Sequence, residues 1–298
     1  MIVLRLKAMA NLIETVGMPL LFVLIWSTGF IVAKFGLPYA PPLTFLLLRY
    51  VGVLLLLIPA LIIVRAPWPH GSMRHIAVAG VLVQAGYLSG VWCAIKLGMP
   101  AGLSALIVGL QPLLTALSAG LIGEPVRRHQ WIGLLLGLAG VALVLFNNLS
   151  FVGVTLGTVS LCLMGLLSIT AGTLYQKRFC ARFDLRAGAT IQFAASLAIT
   201  LPFAWWLEGL TFAFDTVQWT PRFIGALLWS ILALSIGAMF LLYALIRKSA
   251  ATHVSSLMYL TPPVTALLAW LLFAESFTMI GVAGMLLAVT GVAFVVKK

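Results

Sequence analysis

The sequence predicts an all-α polytopic membrane protein with ten transmembrane helices, arranged as two inverted five-helix repeats. Three observations lead there. Of 298 residues, 63% are apolar and 8% charged, where an ordinary soluble domain has roughly 45–50% and about 25%. The apolar residues form ten runs bounded by charge, glycine and proline, each close to the roughly 20 residues that cross a bilayer as a helix. The second half of the chain also repeats the first. A water-soluble fold is excluded, because 18 Lys and Arg with 6 Asp and Glu are too few to cover the surface of a chain this long.

In chain order, the first span is predicted at 17–36, ahead of Pro38. Arg5 and Lys7 precede a long apolar stretch without a small-residue cleavage site, so it reads as a retained helix rather than a signal peptide. The second span, 42–64, opens at Pro42, carries Arg49 and stops at Arg65. The third, 75–95, lies between Arg74 and Lys96 and holds Gln84, Tyr87 and Trp92 with the small pair Gly86 and Gly90. The fourth, 100–122, has Gln111 and Pro112 near its middle. The fifth, 130–147, follows Arg127 and Arg128, and its Gly133 and Gly137 imply a tight helix contact, between the halves or across a homodimer. The sixth, 154–176, ends at Lys177; the seventh is 188–207 and the eighth 222–245. The ninth, 252–273, contains Tyr259, Thr261, Pro262 and Pro263, and the tenth, 279–296, stops at Lys297.

A net charge of +12 raises nucleic acid as a partner, but the basic residues are scattered between apolar runs and do not form one face. Excess Lys and Arg in cytoplasmic loops explains them. With the N-terminus inside, most basic residues fall in cytoplasmic loops; Lys34, Lys96 and Arg222 fall at outer ends and Arg49 within a span. Both termini are therefore expected in the cytoplasm. Cys93, Cys162 and Cys180 have no metal or redox spacing, and no cofactor or metal site is expected.

Shifting the sequence by 151 residues sets Ser104 on Ser255, Pro112 on Pro263, Glu124 on Glu275, Gly133 on Gly284 and Gly140 on Gly291. A shift of 143 sets Gly29 on Gly172, Lys34 on Lys177 and Pro59 on Pro202. The halves are read as residues 1–148 and 149–298. Five spans is an odd number, so the second copy enters the membrane from the opposite face. Inverted repeats supply two half-structures that can rock about a central site, the geometry of alternating access.

The chain resembles the drug/metabolite transporter superfamily, specifically its ten-helix EamA-type members with two EamA repeats. The resemblance rests on Trp26 to Lys34, on Arg49, and on the paired Pro112 to Glu124 and Pro263 to Glu275 elements, each followed by a glycine-rich helix. It implies export or uptake of metabolites across the bacterial inner membrane. It leaves the cargo open. The small four-helix multidrug relatives use a membrane-embedded Glu in their first helix, and no acid occurs here between Glu14 and Glu124, so that proton-coupling mechanism has no residue to carry it.

The expected partners are the lipid bilayer and a small-molecule substrate. Candidate cavity residues are Trp26, Gln84, Tyr87, Trp92, Gln111, Pro112, Tyr259, Thr261 and Pro263. Proline in a span frees a carbonyl, which lipid cannot satisfy, so two symmetry-related proline sites point to a central region. Arg49, a cation within hydrocarbon, must face the interior; it either contacts a substrate carboxylate or gate, or ties its helix to freed carbonyls. Lys34 either draws an anion to the vestibule or snorkels to the interface. Glu124 and Glu275 read as residues that tie helix ends together. Trp68, Trp131, Trp205, Trp206 and Trp219 read as an interfacial belt. The leading function is a secondary transporter. A channel would show a polar ring, and an intramembrane enzyme would show a motif such as HExxH or paired mid-span acids, neither of which the sequence contains.

Overall fold

The computed structural model describes residues 16–99, 101–146, 153–180, 183–211, 214–273 and 278–297. These form ten helical rods: α1 (Met18–Gly36), α2 (Pro42–Val64), α3 (Met73–Lys96), α4 (Ala101–Val108 continued by Gln111–Ala119), α5 (Arg128–Leu145), α6 (Leu156–Phe179), α7 (Leu185–Glu208), α8 (Pro221–Lys248), α9 (Ala251–Ser256 continued to Thr261–Phe273) and α10 (Met279–Val296). Seven of them are continuous, at least 18 residues long and apolar enough to cross a membrane. The chain is an integral membrane protein of all-α class.

Local chemistry sets the helix ends. Pro42 and Pro221 occupy first-turn positions, where a missing N–H costs nothing. The side chains of Thr155, Thr220 and Thr278 accept the N–H of Thr158, Phe223 and Gly281 to start α6, α8 and α10. Asp184 accepts the N–H groups of Arg186 and Ala187 to start α7. It also pairs with Arg186 at 2.9 Å; that side-chain bond first, and the two backbone donors with it, hold the Asp184 carboxyl below the usual carboxylate range.

The prolines act differently from expectation. Pro112 and Pro263 do not kink a running helix: each lies in the first turn of a restarted segment, so α4 ends at Val108 and restarts at Gln111, and α9 tightens into a 3-10 turn over Leu257–Leu260 before Thr261. A proline ring excludes the carbonyl four residues before it, which moves the disturbance one turn upstream. Two further irregularities are π-helical: Val81–Gly86 in α3 and Ser230–Ala238 in α8. The 151-residue shift carries 81–86 onto 232–237 and 109–110 onto 260–261, so both kinds of distortion obey the repeat.

The relation between the repeats is visible where α5 meets α10. A Cβ on Gly133 would lie 2.6 Å from the Gly291 carbonyl, and one on Gly284 would lie 2.7 Å from the Gly140 carbonyl. The shift converts the first pair into the second with partners exchanged, which for antiparallel helices is a two-fold axis across the bundle. The glycine face of α5 is thus filled within the chain by α10. Likewise α2 packs on α7, each with an internal proline, Pro59 and Pro202, at equivalent positions. Trp205 and Trp206 are 72% and 81% exposed, as a lipid-facing belt requires.

Gly140→Ala would place a methyl 2.4 Å from the Ala288 nitrogen and is expected to destabilise by about 1–3 kcal/mol. At Gly225 a Cβ meets nothing within 4 Å, and Gly225→Ala is expected to be neutral or stabilising by up to about 1 kcal/mol. Thermal melts of the two variants in one detergent check this; equal melting temperatures would refute the backbone-contact account of α5 and α10.

Candidate functional site

One cavity gathers five of the eleven candidate residues named from sequence. Trp26 of α1, Arg49 of α2, and Gln84, Tyr87 and Trp92 of α3 line it together with Gly29, Ala33, Val83, Leu88, Val91, Ile95, and Leu234 and Met239 of α8. Its volume is about 50 Å³, room for a few waters. The lining runs from the π segments of α3 and α8 toward the ends of α1 and α3 that hold Ala33 and Ile95.

Arg49 is 4% exposed on a helix whose polar neighbours are few. Its Nε donates to Ser235 Oγ at 2.6 Å, and that hydroxyl donates to the Ser230 carbonyl at 2.8 Å. The five-residue spacing from Ser235 to Ser230 fits the wider turn of the π segment, so the helix distortion and the arginine clamp are one feature. Among the described residues no carboxylate pairs with Arg49. Across the cavity, Tyr50 donates to the Gln84 carbonyl at 3.0 Å, while Gln84 Nε2 is buried without a hydrogen-bond partner. Beside Gln84 lies Tyr243, whose hydroxyl donates to Gln192 Oε1; Gln192 Nε2 donates in turn to Gln176 at 3.1 Å. Aromatic neighbours set the other walls, with Trp26 packed on Phe22 and Trp92 on Phe45 at centroid distances of 5.3 and 5.2 Å.

The remaining sequence candidates do not join this cavity. Gln111 and Pro112 are buried in the restarted half of α4. Tyr259 is fully buried with its ring against Gly137, and the Thr261 carbonyl accepts from Ser27 at 3.4 Å, binding α9 to α1. Pro263 lies in the first turn after the α9 break. Gln111 Oε1, Thr115 Oγ1, Tyr259 OH and Thr261 Oγ1 are buried without partners, a second group of unpaired polar atoms along α4 and α9. The side chain of Lys34, and Glu275 entirely, lie outside the described residues. From sequence Ser235 reads, with Ser230 and Tyr243, as a span hydroxyl bonding back to its own helix, and it does so on the Ser230 carbonyl; its bond to Arg49 was not anticipated, although the 151-residue shift equates Ser235 with Gln84.

The two ends of the bundle are tied by charged groups on backbone. At the α1–α2 face, Glu208 accepts Leu43 N, Thr44 N and Thr44 Oγ1 at 2.8, 2.7 and 2.8 Å, and Lys96 donates to the Leu37 carbonyl at 3.0 Å. At the opposite face, Lys177 donates to the Ile246 and Ser249 carbonyls at 3.0 and 2.6 Å and pairs with Glu124 at 3.5 Å. Glu124 also accepts Ala251 N at 2.7 Å. That one cluster joins the ends of α4, α6, α8 and α9.

Comparison with known proteins decides the class. Residues 15–146 and 156–297 each match the EamA-like transporter family. The chain belongs to that family. It is 30% identical over 288 residues to the uncharacterized transporter YvbV of Bacillus subtilis, covering 93% of this chain and 89% of that one. It is 29% identical to a protein named probable amino-acid metabolite efflux pump of Salmonella typhimurium, over 91% of each. It is 28% identical to the uncharacterized inner membrane transporter YedA of Escherichia coli, over 82% of this chain and 78% of that one. A crystal structure at 22% identity superposes with a TM-score of 0.74 over 93% of this chain and 94% of its own, which shows the shared fold. The chain is a transporter and not an enzyme.

Arg49→Leu is expected to retain folded yield and melting temperature while lowering transport at least tenfold, because the guanidinium holds one side-chain bond, to Ser235, and Ser235 keeps its own acceptor without it. Parallel loss of yield and transport would make Arg49 a structural tie instead.

Proposed function

We propose that this protein is a secondary transporter of the bacterial cytoplasmic membrane that exports a small amphipathic solute, an amino acid or related metabolite, by alternating access. The observation that carries the reading is the cavity in which a buried arginine and an unpartnered glutamine amide meet aromatic walls between two π-distorted helices. A buried unsatisfied donor costs stability, and a site that must release water and accept a polar solute is where that cost has a use. The names of the Salmonella and Escherichia relatives support metabolite efflux and an inner-membrane setting.

The Lys and Arg bias of the loops supports a cytoplasmic position for both termini and, with them, for the Glu124 and Lys177 cluster. The cavity then occupies the outer half of the bundle, above a floor whose helix ends are tied together. Opening the opposite way requires Lys177 to leave the carbonyls of α8 and Glu124 to leave the start of α9. The repeat-related distortions of α3, α4, α8 and α9 are the places where such bending costs least, since their regular hydrogen-bond ladder is already broken. At about 50 Å³ the cavity is too small for a solute with a ring, so binding must part α3 from α8.

Untargeted metabolomics of medium from overproducing cells identifies the solute, and counterflow in proteoliposomes then gives its KM. Trp26→Ala and Gln84→Ala are each expected to raise that KM about tenfold or more with folded yield unchanged. Unaltered kinetics in both variants would remove the cavity from the transport path.

A further inference from the structure

The charged group that faces the cavity is a cation. Arg49 has one N–H engaged with Ser235, which leaves the four N–H bonds of its two Nη groups, and Gln84 shares the lining with its amide beside Tyr243. Among the described residues the lining contains no aspartate or glutamate. The acid that comes near α2 is Glu208, and both of its oxygens are taken by Leu43 N, Thr44 N and the Thr44 hydroxyl, about 7–9 Å along the helix from Arg49 at 1.5 Å per residue. Glu124 and Asp184 are likewise spent on helix starts at the other face.

A carboxylate entering this cavity finds a guanidinium end that lacks an acceptor. An ammonium entering with it finds no acceptor of opposite charge and sits in the field of Arg49, in surroundings that strengthen the repulsion. The rest of the wall is aromatic and aliphatic.

Resting on the reading of this cavity as the transport site, we propose that it selects monoanionic aryl carboxylates: solutes with one carboxylate, an aromatic body and no ammonium group. The carboxylate meets the Arg49 Nη groups, and the ring lies among Trp26, Tyr87 and Trp92. Within the proposed class of amino acids and related metabolites, this narrows the solute to the deaminated acids over their zwitterionic counterparts.

Four compounds with one indole ring and different charge test this on the wild-type protein: indole-3-acetate (anion), tryptophan (zwitterion), tryptamine (cation) and indole (neutral). Proteoliposomes loaded with indole-3-acetate are expected to show counterflow of the labelled compound, with tryptophan, tryptamine and indole each competing at least tenfold more weakly than unlabelled indole-3-acetate. Absence of indole-3-acetate counterflow, or equal or stronger competition by tryptophan or tryptamine, overturns the proposal. The same measurements on Trp26→Ala and Gln84→Ala, using whichever solute the wild type carries, separate the two failures. If those variants alter flux while the zwitterion is preferred, the charge selection alone is wrong; if they leave flux unchanged, the cavity is not the site.

Discussion

Hydrocarbon offers no hydrogen-bond partner, so every polar group placed among these helices has to be satisfied by the chain itself. That constraint organises the structure. Hydroxyls inside the spans turn back onto their own helices: Ser27 onto Val23, Thr170 onto Leu166, Thr173 onto Ile169, Ser196 onto Gln192. Charged side chains at the helix ends do the same for the exposed ends of the backbone. Glu208 and Glu124 accept N–H groups at the starts of α2 and α9, where a negative charge is favoured, and Lys96 and Lys177 donate to carbonyls at the ends of α1 and α8, where a positive one is. An ion that caps another helix is also a tie between helices, which is why removing water from the bundle and holding it together are here one requirement.

Departures from the constraint then carry meaning. Arg49 stands in the cavity with donors to spare, Gln84 lines it, and the segments around them, 81–86 and 230–238, are the ones that abandon α-helical hydrogen bonding. π turns of this kind cluster at functional sites because they turn backbone groups out of the ladder; the Ser230 carbonyl is used to seat Ser235, and Ser235 to seat Arg49. The two repeats are unequal at this level. Gln192, the counterpart of Arg49 under the 143-residue shift, closes a neutral network with Tyr243 and Gln176, so one half supplies the charge and the other a satisfied wall.

Much of this was legible in the sequence. Span boundaries agree with the rods within about three residues, because charge, glycine and proline mark where hydrocarbon ends, and that transition is a property of composition. The roles of Glu124 at a helix start and of Gly133 and Gly137 in a close contact were also readable, since each follows from residue type and position. What was not readable depends on tertiary distance or on backbone strain. Nothing local in Val81–Gly86 announces a π turn. The bond from Arg49 to Ser235 joins residues 186 apart, so Ser235 was legible as a span hydroxyl but not as the partner of Arg49. Pro112 and Pro263 were read as the centre of the site, whereas the chain uses them to restart helices one turn after a break, leaving Tyr259 and Gln111 packed away from the cavity beside Arg49.

The central claim is that the cavity between α1, α2, α3 and α8 is reached from the α1–α2 face while the Glu124 and Lys177 cluster closes the other. Leu88 lines that cavity. With Cys93, Cys162 and Cys180 replaced by serine, Leu88→Cys can be challenged with a membrane-impermeant thiol reagent in right-side-out and inside-out vesicles. The account predicts modification from the extracytoplasmic side, slowed at least severalfold by saturating transported solute. Modification solely from the cytoplasmic side, or at a rate the solute does not change, would contradict it.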